Sequence, residues 1–403
     1  MWPFLLSACA DGVPPFDPSE WLPGGETTNT LLLGTNAFKS PAANLTADHE
    51  QDFYAGNAFF NQAWVEAPAS TTARDGLGPL FNARSCSGCH HEDGKGAVPE
   101  EGPGPFVGLL LRVSVDGQPD PVLGGQIQDQ ALPDVPIEAT PSVHWETIGD
   151  LRRPVFSLDR DPPVSGVRRL SPRLAPHMVG LGLLEAVSED DLRALADPDD
   201  ADGDGISGRV AELDAGVGRF GWKAEASTVE RQTAGAFAGD MGLTSRLVDR
   251  DDCTPAQTAC LEEPSGGEPE VDDDVFDHVV LYARSLAVPV RRAAEDEAVL
   301  RGRETFHALG CVACHTPSFT TSDAALPELS GQRIWPYTDL LLHDLGEDLS
   351  DHRPAGDASG SEWKTPPLWG LGLVHVVDPR PGFLHDGRAR TLDEAVRWHG
   401  GEA

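Results

Sequence analysis

The sequence predicts a mainly α, loop-rich fold with two lobes and a small β-containing insertion. Two observations lead to this prediction. The pattern C-x-x-C-H occurs twice, far apart in the chain, and 43 Gly and 34 Pro among 403 residues favour turns over long helices. The length exceeds that of one typical domain. We therefore expect a tether over residues 1–35, an N-terminal lobe with insertions over 36–288 and a C-terminal lobe over 289–403.

The chain is strongly acidic. It carries 30 Lys and Arg against 65 Asp and Glu, a formal net charge of −35. This balance argues against non-specific binding to nucleic acid or to anionic lipid, because both are polyanions. Hydrophobic residues make up 39% of the chain, enough for a core, and no run of 18 apolar residues predicts a membrane-spanning helix.

The first nine residues resemble the end of an export signal. Apolar residues lead to Leu6-Ser7-Ala8-Cys9, which is similar to a bacterial lipobox, whose Cys is lipidated after cleavage. An unrelated short apolar terminus is the alternative. A spacer rich in Pro and Gly follows to about Asn36 and reads as a tether.

Several elements follow from apolar spacing and turn residues. Phe53, Phe59 and Phe60 recur at helical spacing, and the residues from Leu109 to Val115 form a β-rich run closed by Asp-Gly. Helices are predicted over residues 47–63, 189–195, 275–286, 293–307 and 391–398, and a strand over residues 109–115. The stretch up to about residue 170 is interrupted by Pro and is expected to be extended.

Four cysteines form two copies of C-x-x-C-H, with Cys86, Cys89 and His90 in the first. The second copy consists of Cys311, Cys314 and His315. This spacing is that of c-type haem attachment, in which two thiols add to the porphyrin vinyl groups and the adjacent His binds the iron. Zinc would need four ligands and a thioredoxin-like dithiol would need a βαβ setting, so two covalent haems are predicted. Their attachment outside the cytoplasm implies an exported protein.

The remaining cysteines suggest a disulfide. Cys253 and Cys260 lie in a polar loop, and in an oxidising compartment we expect them to pair with each other. Free thiols are the alternative. The pairing leaves Cys9 as the odd cysteine, in agreement with a lipid anchor.

An acidic loop matches the first positions of a calcium loop. Asp200, Asp202 and Asp204 alternate along it, Gly205 permits the bend, and the carbonyl of Ile206 can add a ligand. Position 12 is not the closing Glu of an EF-hand, so this is not a standard EF-hand. A solvated acidic turn is the alternative.

Seven segments resemble the bacterial di-haem oxidoreductases, a peroxidase-like group earlier labelled thiol oxidoreductases. They are residues 78–90, 173–186, 220–224, 239–245, 342–346, 364–372 and 383–403. The resemblance runs from about Asn36 to the C-terminus and is more distant to the di-haem cytochrome c peroxidases and MauG. It implies two cytochrome c-like haem lobes. The family continues past Ala403 with one more helix, so we expect a longer protein at this end and at the N-terminus.

The resemblance implies ligands for the second haem. The segment from residue 383 leads, in the relatives, to the sixth iron ligand, and the matching position here is His399. Bis-His ligation by His315 and His399 should give a lower potential than His/Met ligation. A surface His at a helix end is the alternative. His385 and His343 match positions that are structural in the relatives.

For the first haem, His90 is the proximal ligand, and a peroxidatic haem also needs a base on its open side. The relatives use a Glu in a Leu-x-Glu-Gln stretch, and here Gln232 matches while Glu230 lies one residue from the acid's position, which Arg231 takes. These two are the candidate catalytic residues. Further candidates on the distal side are His91, His177, Met178, Glu185 and Met241, each of which could equally be structural.

Two other positions follow from the resemblance. Trp222 aligns with the Trp between the haems of the peroxidases, where an aromatic shortens electron hops; a core Trp is the alternative. Thr365 and Pro367 match carbonyl donors of an inter-haem calcium site.

The expected function is that of a periplasmic or lipid-anchored di-haem c-type oxidoreductase. Electrons pass from a donor to the second haem, through Trp222, and to a first haem that reduces a peroxide or oxidises a substrate. A non-catalytic electron-transfer cytochrome is the alternative, and thiol oxidation is a third. The acidic charge favours a cationic redox donor, and no nucleic acid partner is expected.

Overall fold

The computed structural model describes residues 13–31, 33–378 and 380–403. The predicted signal remnant and Cys9 lie outside these residues. Within them, the α-helices are α1 (Ala47–Asn61), α2 (Cys86–Cys89), α3 (Leu181–Glu185), α4 (Glu189–Leu195), α5 (Val229–Met241), α6 (Thr258–Glu262), α7 (Asp273–Ser285), α8 (Glu297–Ala308), α9 (Val374–Val377) and α10 (Leu392–Trp398). The described residues hold no helix long and apolar enough to cross a membrane.

The strands are short except in one region. They are β1 (Leu80–Phe81), β2 (Gly102–Pro103), β3 (Leu109–Val115), β4 (Gln130–Ala131), β5 (Pro141–Ile148), β6 (Leu151–Leu158), β7 (Arg168–Leu174), β8 (Ala211–Leu213), β9 (Gly216–Gly218), β10 (Phe319–Thr320), β11 (Arg333–Ile334), β12 (Leu342–Asp344) and β13 (Glu362–Lys364). Every pairing between them is antiparallel, and the largest sheet has the order β2-β5-β6.

The predicted elements are confirmed in place, but the fold class is confirmed only in part. Helix takes 28% and strand 18% of the chain, so the protein is mixed α and β rather than mainly α. The Pro-rich stretch before residue 170 is extended, as expected, and it also pairs into sheets. Pro154 and Pro172 are tolerated because β6 is an edge strand and β7 belongs to a two-stranded ribbon.

Helices α1 and α7 cross and pack closely. Gly56 makes the close approach possible, because a Cβ at this position would lie 2.1 Å from the carbonyl oxygen of His278. Phe53 and Phe60 of α1 pack against Tyr282 of α7, with ring centroids 4.7 and 5.1 Å apart. The side chain of Thr46 caps the start of α1. This pair of helices packs beside the first C-x-x-C-H motif, with Phe60 next to His90.

The strand-rich region has its own core. β3 and β7 pair along their full length, from Leu109 opposite Leu174 to Val115 opposite Arg168. Alternate residues of β3, including Leu109, Leu111 and Val113, are buried in a separate hydrophobic cluster. The other face of the ribbon carries polar side chains and faces the loops near residues 223–225 and 351–353. β7 thereby ends close to the first motif.

The two halves of the chain pack into each other. One hydrophobic cluster contains Phe38, Val179 and Leu183 from the first half together with Ile334 and Trp369 from the second. The second half otherwise consists of α8, short strand pairs and α10, whose Trp398 packs in a small cluster with Phe383 and Val374. The shared core places the two C-x-x-C-H motifs in one continuous structure.

Candidate haem sites

The first motif forms a single turn of helix. Cys86 is half-buried and Cys89 buried, both as free thiols, and His90 follows at the end of α2. The Nδ1 atom of His90 lies 2.8 Å from the carbonyl oxygen of Pro176. Because the carbonyl can only accept, Nδ1 carries the proton and Nε2 is left with its lone pair for a metal. The ring of Phe60 lies beside the imidazole, with centroids 6.3 Å apart.

The second motif repeats this arrangement. Cys311 and Cys314 are half-buried free thiols. The Nδ1 atom of His315 lies 3.0 Å from the carbonyl oxygen of Tyr337, so its Nε2 is also free to bind a metal. Phe306 of α8 stands in the place of Phe60, with its centroid 5.9 Å from that of His315. Two separate parts of the sequence have therefore folded into the same ligand geometry.

The thiols of the first motif are poorly suited to redox exchange on their own. Burial, with the nearby charge of Asp240, raises the pKa of both Cys86 and Cys89 to about 12. A reactive dithiol needs a lowered pKa, because the thiolate is the nucleophile. The disulfide predicted between Cys253 and Cys260 is confirmed, with Cα atoms 5.9 Å apart, and it joins the half-buried Cys253 to Cys260, which is buried on α6. Neither pair resembles a thiol-exchange site.

His399 ends α10 and is exposed. Its Nδ1 lies 2.8 Å from the carbonyl oxygen of Ala395, which again leaves Nε2 without a bond among the described residues. Burial lowers the pKa of His315, and the charge of His399 lowers this pKa further. The two imidazoles therefore lie near enough to interact electrostatically. This position is compatible with the predicted ligand role of His399.

An aromatic group lies between the two motifs. The indole Nε1 of Trp222 donates to the carbonyl oxygen of Leu174, and the centroid of its ring lies 6.4 Å from that of His385. His385 stacks on Trp363 at 3.7 Å and 14°. Trp363 pairs across β12 and β13 with His343, whose Nδ1 lies 3.5 Å from the Sγ of Cys314. Side-chain contacts thus lead from the vicinity of the first motif to the second.

The family model that matches the sequence of this chain is described as "Di-haem oxidoreductase, putative peroxidase". It matches residues 21–104 and 165–403, which is most of the chain. The chain belongs to this di-haem oxidoreductase family. No curated protein and no solved structure matches it. The resemblance that the sequence motifs indicated is confirmed.

Within the span that the family model covers, residues 105–164 are left unmatched, and they contain most of the strand-rich region. They include β3 to β6, of which β5 and β6 form a hairpin of two eight-residue strands, from Pro141 opposite Leu158 to Ile148 opposite Leu151. The hairpin contacts the second half of the chain, since Arg397 of α10 forms an ion pair with Asp150 at 2.5 Å. The predicted β-containing insertion is therefore present, and it reaches across to α10.

The candidate acid of the di-haem oxidoreductase resemblance, Glu230, does not share a site with Gln232. Residues two apart on a helix point to nearly opposite sides, and Glu230 pairs with Arg246 at 2.6 Å. A Cβ at Gly221 would lie 3.5 Å from Oε2 of Glu225 and 3.8 Å from Oε1 of Gln232, so these two side chains flank one position. Glu225 is the residue that sequence reasoning missed, although it directly follows the motif ending at Ala224.

The other candidates for the distal side of the first haem lie in different environments. Met241 is buried in the core, and Met178 packs against two core clusters. Glu185 pairs with Arg284 at 2.7 Å and accepts the N–H of Val229, which fixes the start of α5. His91 is exposed. His177 is buried, and its Nδ1 has no partner in the described part of the chain.

The acidic loop brings its three carboxylates together. Oxygens of Asp200, Asp202 and Asp204 lie within 4.8 Å of one another on the surface. Each also accepts a backbone N–H of its own loop, and that of Ile206 goes to Asp204 at 2.9 Å. These bonds account for the loop's shape, and calcium stays a prediction. At the second predicted calcium position, the carbonyl of Thr365 accepts the hydroxyl of Thr338, while Pro367 has no assigned contact that tests its role.

The residues present fit two covalently attached haems. Each motif offers two thiols one helical turn apart and an imidazole whose Nε2 is free, and zinc would lack a fourth ligand in either place. Several buried polar atoms have no hydrogen-bond partner among the described residues. Because native proteins rarely leave buried polar atoms unpaired, these atoms also indicate a bound group. They include atoms of Arg173, His177, Arg353, Trp369 and Asp378. Close to His315, a cavity of about 400 Å³ is lined by Phe306, Tyr337 and Trp369.

Proposed function

We propose that this member of the di-haem oxidoreductase family is a c-type di-haem enzyme with peroxidase-like chemistry. The observation that supports it best is the repeated geometry of the two motifs, in which Nδ1 of His90 and of His315 is held by a backbone carbonyl. Such a hydrogen bond fixes the ring orientation and the tautomer of an iron ligand. Haem bound at these residues supplies one-electron chemistry at iron.

The two ends of the site have different roles in this proposal. His315 and His399 would hold the haem at the second motif, and this end would receive electrons. His90 would hold the haem at the first motif, where a peroxide or another substrate would react. The Nε1 bond from Trp222 to Leu174 fixes an aromatic ring beside the strand that leads to Pro176 and His90. Trp222 is thereby positioned to shorten the electron path between the two ends.

A base beside the first iron is the remaining requirement. Glu225 lies among cationic side chains: burial raises its pKa, but the charges of Arg112, Arg173 and Arg353 outweigh this and lower the pKa. Glu225 is therefore a carboxylate at neutral pH and can accept a proton. With Gln232 next to the same glycine, it replaces Glu230 as the residue proposed to move a proton at the substrate.

We also propose that the protein is exported and receives electrons from a cationic donor. Covalent haem attachment requires export, and lipidation at Cys9 would hold the protein at a membrane surface on the periplasmic side. The charge of −35 favours a cationic redox donor. Reduction by such a donor should slow as ionic strength rises, because salt screens the attraction.

The test is to express the chain with a c-type maturation system and to examine the purified protein. Two haems that stay with the denatured chain, a high-spin ferric signal and a spectral change on adding hydrogen peroxide support the proposal. Two low-spin haems that do not react with peroxide would instead establish an electron-transfer cytochrome. Glu225→Gln should remove the peroxide reaction, whereas Glu230→Gln, the matched control, should retain it.

A further inference from the structure

A buried cationic cluster lies on the polar face of the β3–β7 ribbon. It consists of Arg173, Lys223 and Arg353, whose exposed fractions are 7%, 0% and 8%, together with the carboxylates of Asp351 and Glu225. Three cations thus stand against two carboxylates. An excess of positive charge removed from water is costly unless an anion compensates it.

The two arginines of the cluster lack hydrogen-bond partners for most of their donors. None of the three guanidinium nitrogens of Arg173 is bonded within the described residues, and Nε and Nη1 of Arg353 are likewise without a partner there. A guanidinium has five N–H donors in a planar fork. Five buried nitrogens without acceptors therefore indicate a group that the protein chain itself does not provide.

The carboxylate of Asp351 is already engaged by other donors, and that of Glu225 pairs with Arg112 at 3.7 Å. Asp351 accepts the hydroxyl of Ser171, the backbone N–H of Arg353 at 2.9 Å and the ammonium of Lys223 at 3.1 Å. Its nearest approach to Arg173 is 3.5 Å, which is too long for a good charged hydrogen bond. The ammonium of Lys223 is satisfied, since it also donates to three backbone carbonyls. Within the cluster, the N–H donors that lack acceptors in the described residues are thus those of the arginines.

The position of Arg173 relates the cluster to the first motif. Arg173 precedes Pro176 by three residues of extended chain, a span of at most about 10 Å, and the carbonyl of Pro176 binds His90. The guanidinium of Arg173 lies over Trp363, 4.7 Å from the ring centroid. The short chain segment between Arg173 and Pro176 places the cluster near the residues that would hold a haem at the first motif.

We propose that Arg173 and Arg353 bind the propionate carboxylates of the haem attached at Cys86 and Cys89. Two carboxylates on short arms match two guanidinium forks in number, charge and geometry. This inference rests on the proposed haem attachment and adds to it the residues that hold the acidic edge of the group. The same positive charge should disfavour ferric iron at the first site and so raise its reduction potential.

The experiment compares the haem-loaded protein with Arg173→Gln and Arg353→Gln by potentiometric titration. Each variant should lower the midpoint potential of the first haem and leave that of the second unchanged. The matched control is Arg169→Gln, an exposed arginine on the same face of β7, which should change neither potential. Arg173→Lys, which keeps the charge but not the fork, should recover part of the shift. The first haem is the one whose signal disappears when Cys86 and Cys89 are replaced.

Three results would overturn the inference. Unchanged potentials in both Gln variants of a protein that carries two haems would refute it while leaving the proposed function intact. Absence of covalent haem would refute both. A saturable spectral change on titrating the wild-type protein with inorganic phosphate, lost in Arg173→Gln, would instead show that the cluster takes a diffusible anion. Should Arg173→Gln fail to fold, Arg353→Gln supplies the same readout.

Discussion

The indole Nε1 of Trp222 lies 2.7 Å from the carbonyl oxygen of Leu174, at the end of the strand that leads to the first motif. The backbone N–H of Leu174 in turn donates to the carbonyl of His385, the residue stacked on Trp363. One short strand therefore connects the proposed ligand His90, the indole and the aromatic pair on the side of the second motif. A substitution at any of these contacts should change the rate of electron transfer between the two haems.

Replacing Trp222 tests this connection. Trp222→Phe keeps an aromatic ring but removes the hydrogen bond to Leu174, so electron transfer between the haems should slow at least several-fold, with a stability loss of about 1 kcal/mol. Stopped-flow reduction followed at both haems would measure it. Trp335→Phe is the matched control, because it also loses an indole hydrogen bond, to the hydroxyl of Ser19, but lies outside this chain of contacts, so it should leave the rate unchanged. Equal rates in Trp222→Phe and the wild type would contradict the proposed role.

The cysteine pairs should differ in what they hold. Replacing Cys86 and Cys89 by Ser should leave one covalent haem, and replacing Cys311 and Cys314 should leave the other. Replacing Cys253 and Cys260 should retain both haems and cost about 2 kcal/mol, because the disulfide closes only a short loop. Pyridine haemochrome spectra and the mass of the denatured chain would count the haems. Two haems in either motif variant would rule out attachment at that motif.

His399→Ala should alter the second haem alone. Loss of an imidazole ligand opens a coordination position, so the second haem should become high-spin and its potential should rise. Electron paramagnetic resonance and potentiometry would show both effects. The exposed His144 of the strand-rich hairpin offers a control, and its Ala variant should leave both spectra as in the wild type. An unchanged low-spin signal in His399→Ala would assign the sixth position to another residue.

Glu138 should make the protein less stable with rising pH. Burial raises the pKa of Glu138 from its ordinary 4.5 to about 8, although its oxygens accept N–H groups of Gln128 and Gln257. Between these two values the unfolded chain is ionised while the folded protein stays protonated. The stability present below pH 4.5 is therefore lost as pH rises toward 8, at up to about 1.4 kcal/mol per pH unit.

Denaturant unfolding at a series of pH values would measure this slope. Glu138→Gln should remove the contribution of one proton from the slope of unfolding free energy against pH. Glu146→Gln, at an exposed site on β5, should leave this slope unchanged. The same slope in both variants would show that another group controls the pH dependence.

Two glycines at matching positions should respond in opposite ways. Gly56 and Gly302 each stand four residues before the phenylalanine that lies beside a motif histidine. Gly56→Ala would force a Cβ to within 2.1 Å of the carbonyl of His278 and should cost about 3 kcal/mol. Gly302 lines the cavity near His315, and a Cβ added there would meet no atom of the described chain within 4 Å. In the haem-free protein, Gly302→Ala should therefore gain up to about 1 kcal/mol of helix propensity. Thermal melts of the two variants would reveal the contrast.

The sequence was informative where chemistry requires fixed spacing. The two C-x-x-C-H motifs, the disulfide and the strong helices such as α7 followed from local pattern alone. Helix α5 was not predicted, because Gly235 and Gly239 weaken its propensity and tertiary packing of Phe237 and Met241 stabilises it. The same helix decides that Glu230 and Gln232 face different ways. Neighbours that are distant in sequence, such as Arg173 and Arg353, become visible only in the folded chain.

The contrast between α1 and α8, the helices whose phenylalanines lie beside the motif histidines, has a dynamic consequence. α1 is crossed along its length by α7, whereas α8 leaves Gly302 open and Leu309 75% exposed in the described structure. A helix with few buried contacts opens locally at a small free energy. Backbone amides of α8 should therefore exchange with deuterium well before those of α1. Haem attachment at Cys311 and Cys314 would then occur on the part of the fold that most readily exposes its thiols to a maturation enzyme.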